Sequence, residues 1–335
     1  MTNDDRVSAN SADVQYDIVI VGAGAAGIAT ASSIVKRSPE LNIAIIDPSD
    51  VHYYQPGWTM VGGGIFKVEK TVKSMATLIP KNVGLIKAAV TEFEPKKNLV
   101  KLDDNTVVQY DRLVVCPGLK LDWDKIDGLS EALGKNGVTS NYRQDLAPYT
   151  WELVKSLKKG KAIFTQPPMP IKCAGAPQKA LYLSADHWYR SDTLKNVDIE
   201  FKNAGAVLFG VQDYVPILTQ YMDKYGVNID YHSNLVAVDG EKKLAWFDRA
   251  KPDTETERVE VPFDMLHVCP PQSTPGFIRT SELADATGWV DVDQQTLRHK
   301  KYSNIWSLGD VTNTPNAKTA AAARKQAPIV AANII

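Results

Sequence analysis

An α/β chain with two Rossmann-like dinucleotide-binding-type domains is what the sequence predicts, and three observations carry the prediction. A buried strand near the start runs into a turn containing Gly22, Gly24 and Gly27; a second apolar strand over 161–165 opens another α/β run; a late strand ends in Gly309-Asp310. Of 335 residues, 44% are hydrophobic and 23% charged, which suits about two folded domains and argues against a disordered or collagen-like chain. Thirty-eight Lys+Arg balance 39 Asp+Glu, so the broad basic field that nucleic-acid binding depends on is missing and no nucleic-acid partner is expected.

The elements follow in order. Residues 1–15 are polar and read as a flexible tail with neither a signal core nor a presequence, so a cytoplasmic start is expected. The run Tyr16-Asp-Ile-Val-Ile-Val is a buried strand, an Ala-rich helix follows to about Arg37, and residues 41–47 form a second strand, which together open a parallel sheet. Short alternating runs between Gly84 and Cys116 read as an antiparallel meander, ended by the turn Cys116-Pro117-Gly118. A short helix over 151–159 leads to the strand 161–165. Beyond it come a helix over 175–190, a strand over 197–201, a helix over 213–225, and strands near 227–231, 234–238, 244–247 and 265–269. The proline-rich stretch 269–275 reads as the return linker, with a last strand over 304–308 and a helix from about Lys318 onward. These elements give a first domain part over 16–150, a second domain over 151–272 carrying Cys173, and a return of the first domain over 273–335.

The glycine turn has a stated job at each position. Gly22 permits the tight turn, Gly24 lets backbone amides approach a pyrophosphate, Gly27 permits close helix–sheet packing, and Ala25 and Ala26 begin the helix whose N-terminus attracts the anion. Asp47 lies twenty positions beyond Gly27 (47 − 27 = 20), where a carboxylate accepts from ribose hydroxyls. Gly309-Asp310 after a strand, followed by a helix start at Lys318-Thr319, resembles the second FAD motif of the flavoproteins with two dinucleotide-binding domains, and that resemblance implies FAD rather than NAD. Lys318 and Thr319 are placed to stabilise charge at the flavin edge, aided by the helix dipole.

The second domain lacks a matching glycine turn. Its first strand runs into Gln166-Pro-Pro-Met-Pro-Ile-Lys-Cys-Ala-Gly-Ala-Pro177, where prolines at 167, 168, 170 and 177 have no amide hydrogen, so NADH is disfavoured. In that turn stands Cys173, beside Lys172 and close to a helix start, two features that favour the ionised, nucleophilic form of a thiol. Cys116 and Cys269 each end a strand just before proline and are weaker candidates as its redox partner; as core residues they need no further role. No cysteine or histidine spacing suggests a metal site. His187, His232 and His299 have no partner pattern, and His267 is a proton relay only if it lies close to the flavin.

Several segments carry a family resemblance: His52-Tyr-Tyr-Gln-Pro-Gly-Trp-Thr59, Lys172-Cys-Ala-Gly-Ala-Pro-Gln-Lys179, His267-Val-Cys-Pro-Pro271, Gly288-Trp-Val-Asp-Val-Asp293, and Gly309-Asp310 through Lys318-Thr-Ala-Ala-Ala322. Together, from about Tyr16 to the last residue, they resemble the sulfide:quinone oxidoreductases, in the branch that includes the mitochondrial enzyme, and the Cys173 octapeptide is the most specific piece. The resemblance implies a disulfide-reductase-like FAD/NAD(P)-binding fold and oxidation of hydrogen sulfide to a cysteine persulfide. Electrons would pass through FAD to a ubiquinone-like quinone and the sulfane sulfur to a small acceptor. It also implies that Tyr53, Tyr54, Gln55, Pro56 and Gly118 approach the flavin.

In the resembling family the second redox cysteine, the quinone contacts and the membrane-docking helices lie in a C-terminal segment beyond the Gly-Asp motif. This sequence stops at Ile335, inside the helix that follows the motif, so the resemblance implies either a fragment whose redox partner cysteine lies beyond Ile335 or a chain that has lost the segment. Peripheral attachment to the inner face of a bacterial plasma membrane, through that segment alone, is the expected location. Related readings are flavocytochrome c sulfide dehydrogenase, type II NADH dehydrogenase, or a non-catalytic flavin-binding sulfide sensor.

Overall fold

The computed structural model describes residues 14–250 and 255–335, and the chain divides into two compact units. The first gathers the residues up to His52 with Ser74–Leu119 and Thr274–Ile335, and the second gathers Tyr53–Lys73 and Lys120–Ser273.

In the first unit the apolar strand Val14–Val21 lies inside a seven-stranded sheet. It pairs in parallel with Ile43–Ile46 on one side and Val107–Val115 on the other, and Ile43–Ile46 pairs in turn with Val83–Ile86. Parallel strands covered on both faces read as continuous hydrophobic runs, and Ile18, Val19 and Ile20 are accordingly without exposure. The long strand Val107–Val115 serves two partners on its far edge. Its first half closes the antiparallel meander of Val90–Glu94 and Leu99–Leu102, and its second half takes Ile305–Ser307 in parallel. Helices Ala25–Arg37 and Ala320–Ile334 pack on one another through buried alanines, including Ala26, Ala323 and Ala327.

The second unit is built on a five-stranded parallel sheet ordered Val138–Thr139, Met265–His267, Gly160–Gln166, Val197–Asn203, Asn228–Tyr231. Phe164, Phe201 and Trp188 fill its core, each worth roughly 1.5–3 kcal/mol of transfer free energy. An antiparallel sheet of Ser233–Asp239, Leu244–Arg249 and Glu257–Pro262 accompanies it. Charged side chains pair along this sheet: Lys161 with Glu200 on the neighbouring strand, Lys202 with Glu200 on its own strand and with Asp230 on the next, and Arg249 of the antiparallel sheet with Asp230.

Four features differ from the sequence expectation. Most of the expected tail, residues 1–13, lies outside the described residues, but Val14 and Gln15 already belong to the first strand, opposite Val108 and Gln109. The expected boundary at 150/151 falls instead at 119/120, because Val138–Thr139 joins the edge of the second sheet beside Met265–His267. Residues 53–73 go with the second unit for a similar reason: helix Pro56–Gly62 packs on helix Ala147–Ser156. Strand Glu257–Pro262 was not anticipated, since its charged edge-strand composition hides the alternation of Val259 and Val261.

Candidate functional site

Each unit carries one strand-to-helix turn that bears on function. In the first, Gly22 sits at φ +102°, and a Cβ there would stand 2.5 Å from the Cys116 carbonyl oxygen. A Cβ on Gly27 would run into the Gly22 carbonyl oxygen, so the helix can approach the strand only at glycine. Gly24 is the reverse case: a Cβ there meets nothing within 4 Å, and Gly24 and Ala25 are exposed. The N-terminus of the thirteen-residue helix thus opens onto free space with no side-chain cap, leaving its first amides for an outside acceptor.

Asp47 borders the same space. Its Oδ2 accepts from Ala23 N at 2.7 Å and its Oδ1 from Ser49 N at 2.9 Å, which fixes the carboxylate while each oxygen keeps a further lone pair. Gly309, at φ +79°, lies where a Cβ would meet the Cβ atoms of Ala26 at 3.2 Å and Ala323 at 3.9 Å, so the two motifs from opposite ends of the sequence meet here. Gly309 N donates to Gln326 Oε1 at 2.9 Å. Gly118, at φ +77°, likewise faces open space. An uncapped helix start, glycines whose missing Cβ leaves room, and a fixed acid suit the adenosine diphosphate half of a dinucleotide.

Two residues of this unit do something other than expected. Thr319 caps the last helix, its Oγ1 accepting from Ala322 N at 3.0 Å. The Lys318 ammonium turns onto the carbonyls of Asp310 and Thr312, at 2.8 and 2.7 Å.

In the second unit, strand Gly160–Gln166 leads through the proline-rich turn to helix Ala176–Arg190. Cys173 is half-buried at φ +54°, and its carbonyl accepts from Ala176 N at 2.7 Å. Its flanks are anchored: Lys172 N donates to Gln272 Oε1 at 2.6 Å, and Tyr142 OH donates to the Lys172 carbonyl at 3.1 Å. The Lys172 ammonium reaches Gln55 Oε1 at 2.5 Å and lies over the rings of Trp58 and Tyr142. A second cation stands beside the thiol: Lys179, one turn into the helix, with Nζ 3.5 Å from Cys173 Sγ. Lys179 stands in the same octapeptide, six residues beyond Cys173, and that spacing is the only signal of the contact that the sequence carries. Gln55 therefore serves as an anchor for Lys172, and Pro56 is the first residue of helix Pro56–Gly62.

The other two cysteines are core residues. Cys116 is fully buried, donates to the Gly22 carbonyl across 3.6 Å, and is held protonated by burial and by the nearby Asp47. Cys269 packs with Tyr142, Ile171, Ala174 and Ala176, directly against the Cys173 turn, and burial pushes its thiol up to about 12. His267 is no proton relay: it is without exposure, its Nε2 accepts from Asn141 N at 2.9 Å, and burial holds it down at about 4. His299 is likewise committed, with Nδ1 accepting from Lys301 N at 3.0 Å and Nε2 facing the Leu283 carbonyl at 3.1 Å. Among the described residues no cluster has the makings of a metal site, and no helix is long and apolar enough to cross a membrane.

Comparison with known proteins agrees with this architecture. Residues 16–152 match the family described as pyridine nucleotide-disulphide oxidoreductase. The chain is 46% identical over 321 residues to the mitochondrial sulfide:quinone oxidoreductase of Dictyostelium discoideum, covering 95% of this chain and 70% of that one. It is 38% identical over 315 residues to the mouse (Mus musculus) mitochondrial sulfide:quinone oxidoreductase, covering 94% and 70%. In fold it resembles the sulfide:quinone oxidoreductase structure from Aquifex aeolicus, with a TM-score of 0.82 at 21% identity over 96% of this chain and 76% of that one. Relatives at this identity, matched along nearly the whole of this chain and most of their own length, establish that the chain belongs to the sulfide:quinone oxidoreductase family.

Proposed function

We propose that the chain oxidises hydrosulfide at Cys173, with FAD held by the cradle of the first unit and a quinone as final electron acceptor. The observation that carries this reading is Cys173 itself: a half-buried thiol with a lysine ammonium 3.5 Å away, on the turn where a glycine loop for a nicotinamide cofactor would otherwise stand. Bound FAD would supply the two-electron acceptor that the quinone then reoxidises. FAD fits the residues present, with Gly22, Gly24, Ala25, Ala26 and Gly27 at the pyrophosphate, Asp47 at the ribose, and Gly118, Gly309 and Asp310 toward the flavin half.

The residues of the chain account for the sulfur side. The Lys179 ammonium beside Cys173 attracts the hydrosulfide anion to the same place. The half-reaction balances as Cys173–SH + HS⁻ → Cys173–SSH + H⁺ + 2e⁻. The outer sulfur is then open to attack by a small nucleophilic acceptor, which restores the thiol. The prolines around Cys173 remove backbone amides that would otherwise bind a pyrophosphate, which keeps NADH out of the competition. We place the protein peripherally on the membrane that carries its quinone.

Anaerobic titration with sulfide tests the reading. Sulfide is expected to bleach the flavin absorbance of the purified protein, NADH to leave it unchanged, and Cys173→Ala to bind FAD without bleaching. Full bleaching in Cys173→Ala, or reduction by NADH, overturns it.

A further inference from the structure

The segment Gly288-Trp-Val-Asp-Val-Asp293 takes no part in the chemistry above, and its position gives it one. The Trp289 ring is nine-tenths buried and lies over the Lys318 ammonium, 3.9 Å from it to the ring centroid. Beneath the ring, Lys318 Nζ donates to the carbonyls of Asp310 at 2.8 Å and Thr312 at 2.7 Å. The same ribbon grips the turn from its other side. Val290 N donates to the Val311 carbonyl and Asn313 N to the Val290 carbonyl, both at 3.1 Å. Asn313 Oδ1 accepts from Val292 N at 3.2 Å, and its Nδ2 donates to Asp285 at 3.1 Å and Asp291 at 2.8 Å. A lysine with 8% exposure, committed to two carbonyls and an indole face, is part of the scaffold.

We propose that Lys318 is a positioning residue for the flavin: roofed by Trp289, it pins the 310–312 turn and the start of the last helix and does not itself meet the cofactor. The inference rests on the flavin reading of the Gly309–Asp310 motif. The charges acting on the ammonium are Asp310 and Asp285, which favour its proton. Burial outweighs them and holds Lys318 down at about 8. Because that value lies below the unfolded one, the buried charge is a burden on the fold at neutral pH, relieved as pH rises past 8. A substitution that removes the charge therefore separates positioning from stability.

FAD affinity, read by quenching of flavin fluorescence on adding FAD to apoprotein, tests the proposal with Lys318→Met, Trp289→Leu, Trp289→Phe and the Lys318→Met/Trp289→Leu pair. Lys318→Met is expected to weaken FAD about tenfold, equivalent to about 1.4 kcal/mol, while its apoprotein melts no lower than wild type and the midpoint potential of the bound flavin is unchanged. Trp289→Leu should weaken binding a few-fold and the pair no more than Lys318→Met alone, since both remove one clamp. Trp289→Phe, which keeps a ring and guards against a folding failure, should stay within about twofold. Wild-type affinity in Lys318→Met, a shifted midpoint potential, or full additivity of the pair overturns the proposal. A wild-type apoprotein that binds no FAD overturns the flavin reading instead.

Discussion

Two turns in this chain join a buried parallel strand to a helix, and they are made of opposite materials. Between Val14–Val21 and Ala25–Arg37 the chain spends three residues, with Gly22 and Gly24 leaving backbone and amides bare. Between Gly160–Gln166 and Ala176–Arg190 it spends nine, from 167 to 175, and three of them are proline. The first turn offers its backbone because side chains are absent. The second withholds its backbone and offers a side chain, Cys173, with Lys179 beside it. One architecture therefore presents bare backbone amides or a cysteine side chain according to which atoms the turn leaves exposed.

Mutation can break this contrast from either side. The largest effect is expected from Cys173→Ala, which should abolish sulfide-dependent flavin bleaching, by about a thousandfold or more in rate, with FAD content intact. Next comes Gly27→Val, whose Cβ collides with the Gly22 carbonyl; about 3 kcal/mol or more of stability should be lost, read from the urea midpoint, together with FAD. Of similar size is a pH effect in the second unit. His267 is held at about 4, below the unfolded value of 6.5, so between those limits the unfolded chain binds a proton that the folded chain refuses. Stability contributed by neutral His267 is full above pH 6.5 and is lost as pH falls toward 4, by about 3 kcal/mol at most. His299 of the first unit, also lowered by burial, acts in the same direction there. Urea melts of wild type and His267→Gln over that range check it: the variant should show a shallower acid slope.

Smaller changes sharpen the comparison. Lys179→Met should lower kcat/KM for sulfide by about tenfold and flatten its salt dependence, without touching FAD content. Gly24→Ala should change stability by less than about 1 kcal/mol, because its Cβ enters open space, yet weaken FAD measurably. Equal losses of stability for Gly24→Ala and Gly27→Val would remove the distinction between a glycine needed for packing and one needed for a ligand.

The cradle was legible in the sequence because each glycine answers a local steric demand that the spacing alone reveals. The thiol turn was legible in its cysteine and prolines and illegible in its second cation. Lys172 adjoins Cys173 in sequence and its ammonium reaches Gln55, 117 positions away, while Lys179, which reaches the sulfur, comes from the next helix. Lys318 repeats the lesson: a lysine at a helix start looks solvent-facing until Trp289, from a distant ribbon, is found lying across it. Cys269 shows the limit for the core, since its place against Tyr142 and Ala174 depends on strand Met265–His267 lying beside Gly160–Gln166.

The backbone of Cys173, at φ +54°, lies in the left-handed region, where a residue with a Cβ is held against a steric penalty of about 1 kcal/mol. Glycine would sit there without that strain, so a Cys173→Gly chain should fold about as readily while losing the reaction. Thermal tolerance alone would then be blind to the identity of this residue, and any pressure that keeps a sulfur atom at this position has to come from chemistry.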